Sequence, residues 1–138
     1  MSSIGPIVER ALDKIEESDL LRLAELARSD REDLFNRIPF WRRLSGRLLC
    51  VTLCQGAALH YWDGTNGVKD LDVWTFYAHH PDASFNPRRI RRVDFGPSHL
   101  GRHPNDPELT GRAVDFMGRS LRCMVGTDCT CSIMKGSS

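Results

Sequence analysis

Gly67-Val68-Lys69-Asp70-Leu71-Asp72-Val73-Trp74-Thr75-Phe76-Tyr77 carries the clearest strand signal in the chain. From Leu71 onward β-branched and aromatic residues dominate, the composition of a strand. Side chains alternate faces on a strand, so Asp70 and Asp72 share one face, with Cα atoms ~6–7 Å apart. Two carboxylates held that close repel each other unless a cation sits between them. Hard oxygen ligands beside a phosphorylated substrate are the usual company of Mg²⁺. A plain strand start with two solvated acids fits the same dipeptide pattern.

Upstream, Arg47-Leu48-Leu49-Cys50-Val51-Thr52-Leu53-Cys54 is a short apolar run with β-branched members. It leads into Gln55-Gly56-Ala57-Ala58-Leu59-His60-Tyr61, a glycine turn followed by small residues that suit the start of a helix. Glycine there lets backbone N–H groups approach an anion, and a helix N-terminus adds a favourable dipole. The turn-rich Asp63-Gly64-Thr65-Asn66-Gly67 then returns the chain to the Asp-Leu-Asp strand. The order is strand, phosphate-competent turn, short helix, loop, carboxylate strand.

On these residues the chain resembles the nucleotidyltransferase superfamily with the polymerase-β-like palm fold. That family joins a Gly-Ser or Gly-Gly turn to an Asp-x-Asp or Asp-x-Glu pair flanked by apolar residues; here these are Gly56-Ala57 and Asp70-Leu71-Asp72. The Gly-Ala-Ala-Leu wording is similar to the abortive-infection toxin branch found in bacteria. The resemblance covers residues 47–77 and extends toward 120. It implies that Asp70 and Asp72 bind Mg²⁺ or Mn²⁺, that a nucleoside triphosphate is the substrate, and that Gly56 and Ala57 meet its phosphates. Two metal ions would serve nucleotidyl transfer, with the protein supplying position and charge. Ala57 replaces the usual serine or second glycine and lacks a hydroxyl to donate, which leaves that task to backbone amides.

The family also needs a third carboxylate on a neighbouring strand. Asp115, in Arg112-Ala113-Val114-Asp115-Phe116-Met117, and Asp94, in Arg91-Arg92-Val93-Asp94-Phe95-Gly96, both sit in Val-Asp-Phe after arginines. Asp115 is favoured, because Met117–Leu121 can continue a strand whereas Gly96-Pro97 stops one. A surface acid paired with a nearby arginine is the alternative for each.

Arg88, Arg89, Arg91, Arg92 and Arg102 lie close together with Asp94 as the one acid among them. Arginine forks suit phosphate oxygens, so Arg91 and Arg92 are candidates to clamp a triphosphate or grip an RNA backbone. A solvated loop whose charges balance acids elsewhere is the alternative. With few local acids to pair with, these arginines are expected to serve ligands rather than the fold.

The 138 residues suit one domain with a real core. Net charge is +1, which gives no global signal for polyanion binding. No apolar run approaches a membrane span, and the N-terminus has no basic-then-apolar signal pattern, so a cytoplasmic chain with reduced thiols is expected.

Residues 1–40 read as helical. Ile4, Ile7, Val8, Ala11, Leu12 and Ile15 recur at helical spacing, with Pro6 in a first turn. Ser18 or Asp19 can cap a second helix bearing Leu20, Leu23, Ala24 and Ala27, and Ser29–Glu32 has the spacing of a capping box for a third. Pro39 stops the run. The expected fold is α+β, with N-terminal helices packed on a small mixed sheet of the minimal nucleotidyltransferase type. Strands are expected at 47–54, 70–77 and 112–117 within a core spanning 45–122. The helix after Gly56 would begin a parallel crossover.

Cys50 and Cys54 share a strand face as core thiols. Cys123, Cys129 and Cys131, spaced C-x5-C-x-C in the irregular tail 123–138, fit a zinc site poorly. His79, His80, His99 and His103 read as loop histidines. Ala57 and the 23 residues after Asp115 sustain a rival: a catalytically reduced binding or regulatory module, such as a toxin–antitoxin component with a protein partner. A small α+β domain with incidental aspartates is a third possibility.

Overall fold

The computed structural model describes residues 9–85 and 88–122. Strands β1 (Leu48–Cys54), β2 (Asp70–Ala78), β3 (Arg88–Asp94) and β4 (Ala113–Leu121) form one mixed sheet in the order β1-β2-β4-β3. β2 and β4 are parallel, and both outer strands pair antiparallel to their neighbours. Helices α1 (Glu17–Arg37) and α2 (Gln55–Asp63) complete the α+β fold. No helix among the described residues is long and apolar enough to cross a membrane.

Alternation on β2 decides the layers. Leu71, Val73, Thr75 and Tyr77 are buried, while Asp70, Asp72, Trp74 and Phe76 are only partly so. The buried set meets α1. Leu23 and Ala27 pack with Leu71, Val73, Val114 and Phe116, and farther along Leu34 packs with Tyr77 and Phe85. Burying these apolar side chains is worth roughly 1.5–3 kcal/mol each for the larger ones.

The N-terminal expectation is corrected. Residues 9–16 are not helical: Ala11 forms an isolated antiparallel bridge to Val68, with N–H···O distances of 2.9 and 2.8 Å. Ala11 and Ile15 are buried, but Leu12 is 69% exposed, which one helical face would not allow. The apolar residues plug the core from an extended chain. Residues 1–8 lie outside the described set, so Ile4, Pro6, Ile7 and Val8 do too. Where a helix pair was expected, α1 runs unbroken through Ser29–Glu32. Asp30 and Leu34 continue its buried stripe, and the exposed pairs Arg28–Glu32 and Arg37–Asp33 bridge successive turns. The capping box lies at the helix start, where the Asp19 carboxylate accepts from the Glu16 N–H. Ile38 ends α1, and Pro39 opens a 3-10 turn.

Two further corrections concern the sheet. β1 and β2 are antiparallel, so α2 sits inside a long hairpin connection rather than a parallel crossover. Buried His60 pins that connection: its Nε2 donates to the Asp13 carbonyl and its Nδ1 accepts from the Gly67 N–H. β3 was not expected at all. Its arginine-rich sequence suits an edge strand, where charge discourages pairing with other chains.

Candidate functional site

Sheet register brings the candidate acids together. Asp72 pairs with Asp115 across the parallel β2–β4 ladder, and Asp70 lies two residues earlier on the same face. Cys54, the last residue of β1, pairs with Asp72 on the other side and is the N-cap of α2. The first turn of α2 therefore stands beside Asp72. By helix geometry its N–H groups have no intrahelical acceptor. Gln55, at this junction, holds φ 59°, a left-handed conformation uncommon for a non-glycine residue.

Gly56 and Ala57 occupy that turn, but the Ala57 side chain is buried in the main core. Its methyl is thus committed to packing, and only its N–H remains for an anion. The Gly56 carbonyl accepts from Asn66 Nδ2 at 3.1 Å, tying the following loop to the helix start.

Arg92 organises the acids. It pairs with Asp115 across the β3–β4 ladder and forks onto it, Nε to Oδ1 at 2.8 Å and Nη2 to Oδ2 at 3.0 Å. Nη1 donates to Asp106 at 3.1 Å, and Nη2 stands 3.8 Å from Asp70. The Asp115 pair holds this guanidinium protonated still more firmly than usual, against the opposing effect of burial. Arg91 projects the other way, to Asp33 at 2.9 Å and Asp30 at 3.7 Å on α1. The two arginines therefore do not converge on one ligand, and both have acids at hand. The premise of few local acids counted chain neighbours only and missed α1, β4 and the 95–112 loop.

Asp72 is the most perturbed acid. Burial first, then the Asp115 and Asp70 carboxylates, push its pKa up to about 6, opposed by Arg92. Asp70 Oδ1 is buried without a well-formed hydrogen bond. His103 Nε2 approaches that oxygen to 2.7 Å, outside hydrogen-bonding alignment, while its Nδ1 accepts from the Asn105 N–H. Both features, a raised carboxylate and an under-satisfied one, would be relieved by a divalent cation, and an all-oxygen donor set suits Mg²⁺ or Mn²⁺. Among the described residues no three His, Cys, Asp or Glu side chains are gathered in ligating geometry. Asp115 is turned to Arg92 and Asp70 toward His103, so metal binding would require these side chains to shift.

Asp94, the other candidate third acid, holds a loop. It accepts from Gly96 N–H at 2.9 Å, Thr110 N–H and Oγ1 at 2.8 Å each, and Gly111 N–H at 3.0 Å. Burial pushes its pKa up, but these hydrogen bonds prevail and hold it below the ordinary carboxylate value. Cys123, Cys129 and Cys131 lie outside the described residues.

Sequence reasoning missed His103, Asp106 and Arg112. Arg112 is fully buried, and its Nε donates to the Leu100 carbonyl at 2.8 Å and Nη1 to the Glu9 carbonyl at 3.3 Å. Nη1 also reaches the Lys69 carbonyl beside Asp70, at 3.4 Å. The polar run Arg102-His103-Pro104-Asn105-Asp106 was the available signal, but only the contacts His103–Asp70 and Asp106–Arg92 reveal that it folds back onto β2 and β3. Comparison with protein-family models, with curated proteins and with solved structures gave no match.

Proposed function

We propose that the chain is a metal-dependent nucleotidyltransferase, moving a nucleoside monophosphate from a nucleoside triphosphate to an acceptor hydroxyl. The observation that carries this reading is the Asp72–Asp115 pairing, with Asp70 on the same face, beside the first turn of α2.

Asp70 and Asp72, with Asp115, would hold Mg²⁺ or Mn²⁺, which supplies charge to stabilise the departing pyrophosphate and to acidify the attacking hydroxyl. The α2 N–H groups at Gly56 and Ala57 bind the triphosphate tail. Arg92, released from Asp115, is positioned to reach a phosphate oxygen. Asp115 then accepts the acceptor's proton as the new O–P bond forms at the α-phosphorus and the bond to the β-phosphate oxygen breaks.

Incubation with labelled nucleoside triphosphates, Mn²⁺ and total RNA or protein extract should label an acceptor. The Asp70→Asn/Asp72→Asn variant should not. Equal labelling by both proteins, or none with any nucleotide and extract, counts against the proposal.

One observation favours a second reading. The Arg92 fork takes both Asp115 oxygens and supplies a built-in cation, as in a binding or regulatory module that retains the fold without turnover. In that case Arg92→Ala raises Mn²⁺ affinity and still yields no labelling.

A further inference from the structure

The open face of β2 does not end at the carboxylates. Asp70, Asp72, Trp74 and Phe76 follow one another along it, each partly exposed. Trp74 and Phe76 hold their rings within 12° of parallel, with centroids 5.9 Å apart. In the ladders Thr52 and Met117 flank Trp74, while Cys50 and exposed Arg119 flank Phe76. This is a stacked aromatic pair bordered by Thr52, Met117, Cys50 and the cationic Arg119, continuous with an acidic site on the same strand.

We infer that Trp74, backed by Phe76, is the stacking surface for the base of the nucleoside triphosphate. The inference rests on the proposed nucleotidyl transfer and names where the nucleoside lies. Direction decides it. The first turn of α2 stands at the Cys54–Asp72 end of the sheet, so a triphosphate tail held there leaves the nucleoside to run the other way along β2. Trp74 lies two residues from Asp72, ~6–7 Å along the strand, a span that one ribose bridges. Every base has a π-face, so stacking binds without strong selection among bases. Stacking alone therefore gives weak discrimination among the four nucleotides.

Calorimetry with Mn²⁺ present, comparing ATP with inorganic tripolyphosphate, tests the inference. Tripolyphosphate reports on the phosphate and metal subsite alone. Trp74→Leu keeps apolar bulk and loses the extended ring; Trp74→Phe keeps a smaller ring, and melting curves check that both variants fold. We expect Trp74→Leu to weaken ATP about tenfold, equivalent to ~1.4 kcal/mol, with tripolyphosphate unchanged and Trp74→Phe intermediate. Equal affinity of wild type for ATP and tripolyphosphate overturns the stacking role while leaving nucleotidyl transfer standing. Loss of RNA binding without loss of ATP binding also overturns it, because the face then belongs to the acceptor. If neither ATP nor tripolyphosphate binds the wild type, the stacking role and the transferase reading fall together.

Discussion

Replacing Asp72 by asparagine should make the metal-free protein more stable at neutral pH. The carboxylate pKa rises from 3.8 to about 6 through burial and two neighbouring acids, with no hydrogen bond among the causes. A raised acid prefers its protonated form in the folded state, so the ionised form is a folding penalty at pH 7. That penalty disappears as pH falls through the folded value toward the unfolded one. At roughly 1.4 kcal/mol for each pH unit separating the folded and unfolded values, the ceiling is about 3 kcal/mol. Water reaching this half-buried strand end reduces the expected gain to about 1–2 kcal/mol. The asparagine is close in size, so packing changes little. Urea denaturation in EDTA at pH 7.5 and pH 4.5 measures the effect. The variant should be more stable at pH 7.5 and lose most of that advantage at pH 4.5, while wild type gains stability across the same interval. A variant no more stable than wild type at pH 7.5, with parallel pH profiles, would refute the claim that like charge and burial strain this position.

Three other perturbations test the frame around the site. Gly111→Ala should destabilise by about 3 kcal/mol, because its Cβ would lie 1.9 Å from the Gly96 carbonyl oxygen, backbone that cannot step aside; a melting temperature like wild type refutes the close approach. Asp94→Ala should cost about 2 kcal/mol by removing the acceptor for four hydrogen bonds in the β3–β4 loop, read by chemical denaturation. His99, whose pKa burial lowers but Asp19 at 2.9 Å more than restores, sits above its ordinary 6.5. Its stabilisation is present below pH 6.5 and lost as pH rises through the folded value, so His99→Asn should destabilise more at pH 6 than at pH 8.

Much of the sheet was legible because β2 obeys period two and β4 carries an apolar run. Asp70 to Tyr77 alternates without a break, and Asp115 sits inside an apolar run, so both strands could be read in advance, whereas a third acid beside the Asp70–Asp72 pair was expected only from the family resemblance. β3 escaped because an edge strand needs little apolar content, and Arg88–Asp94 looks like a charged loop by composition. The N-terminal error has a similar origin. Ala11 and Ile15 are four apart, which fits a helix and also fits an extended segment that lowers two plugs into a core. Nothing local distinguishes them; the bridge to Val68 does. The arginines were legible as residues but not as partners. Arg91 and Arg92 are adjacent in sequence and opposed in space, and their acids come from α1, β4 and the following loop. The Arg92–Asp115 pairing depends on strand register, and the others on how α1 and the 95–112 loop pack against β3, neither of which composition encodes.

A Mn²⁺ titration by calorimetry, comparing wild type with the Asp70→Asn/Asp72→Asn variant, tests the central claim most directly. We expect saturable binding to wild type that the double variant loses, while the variant remains folded and at least as stable without metal. Equal Mn²⁺ binding by both proteins, or none by wild type, would contradict a cation site on this strand face.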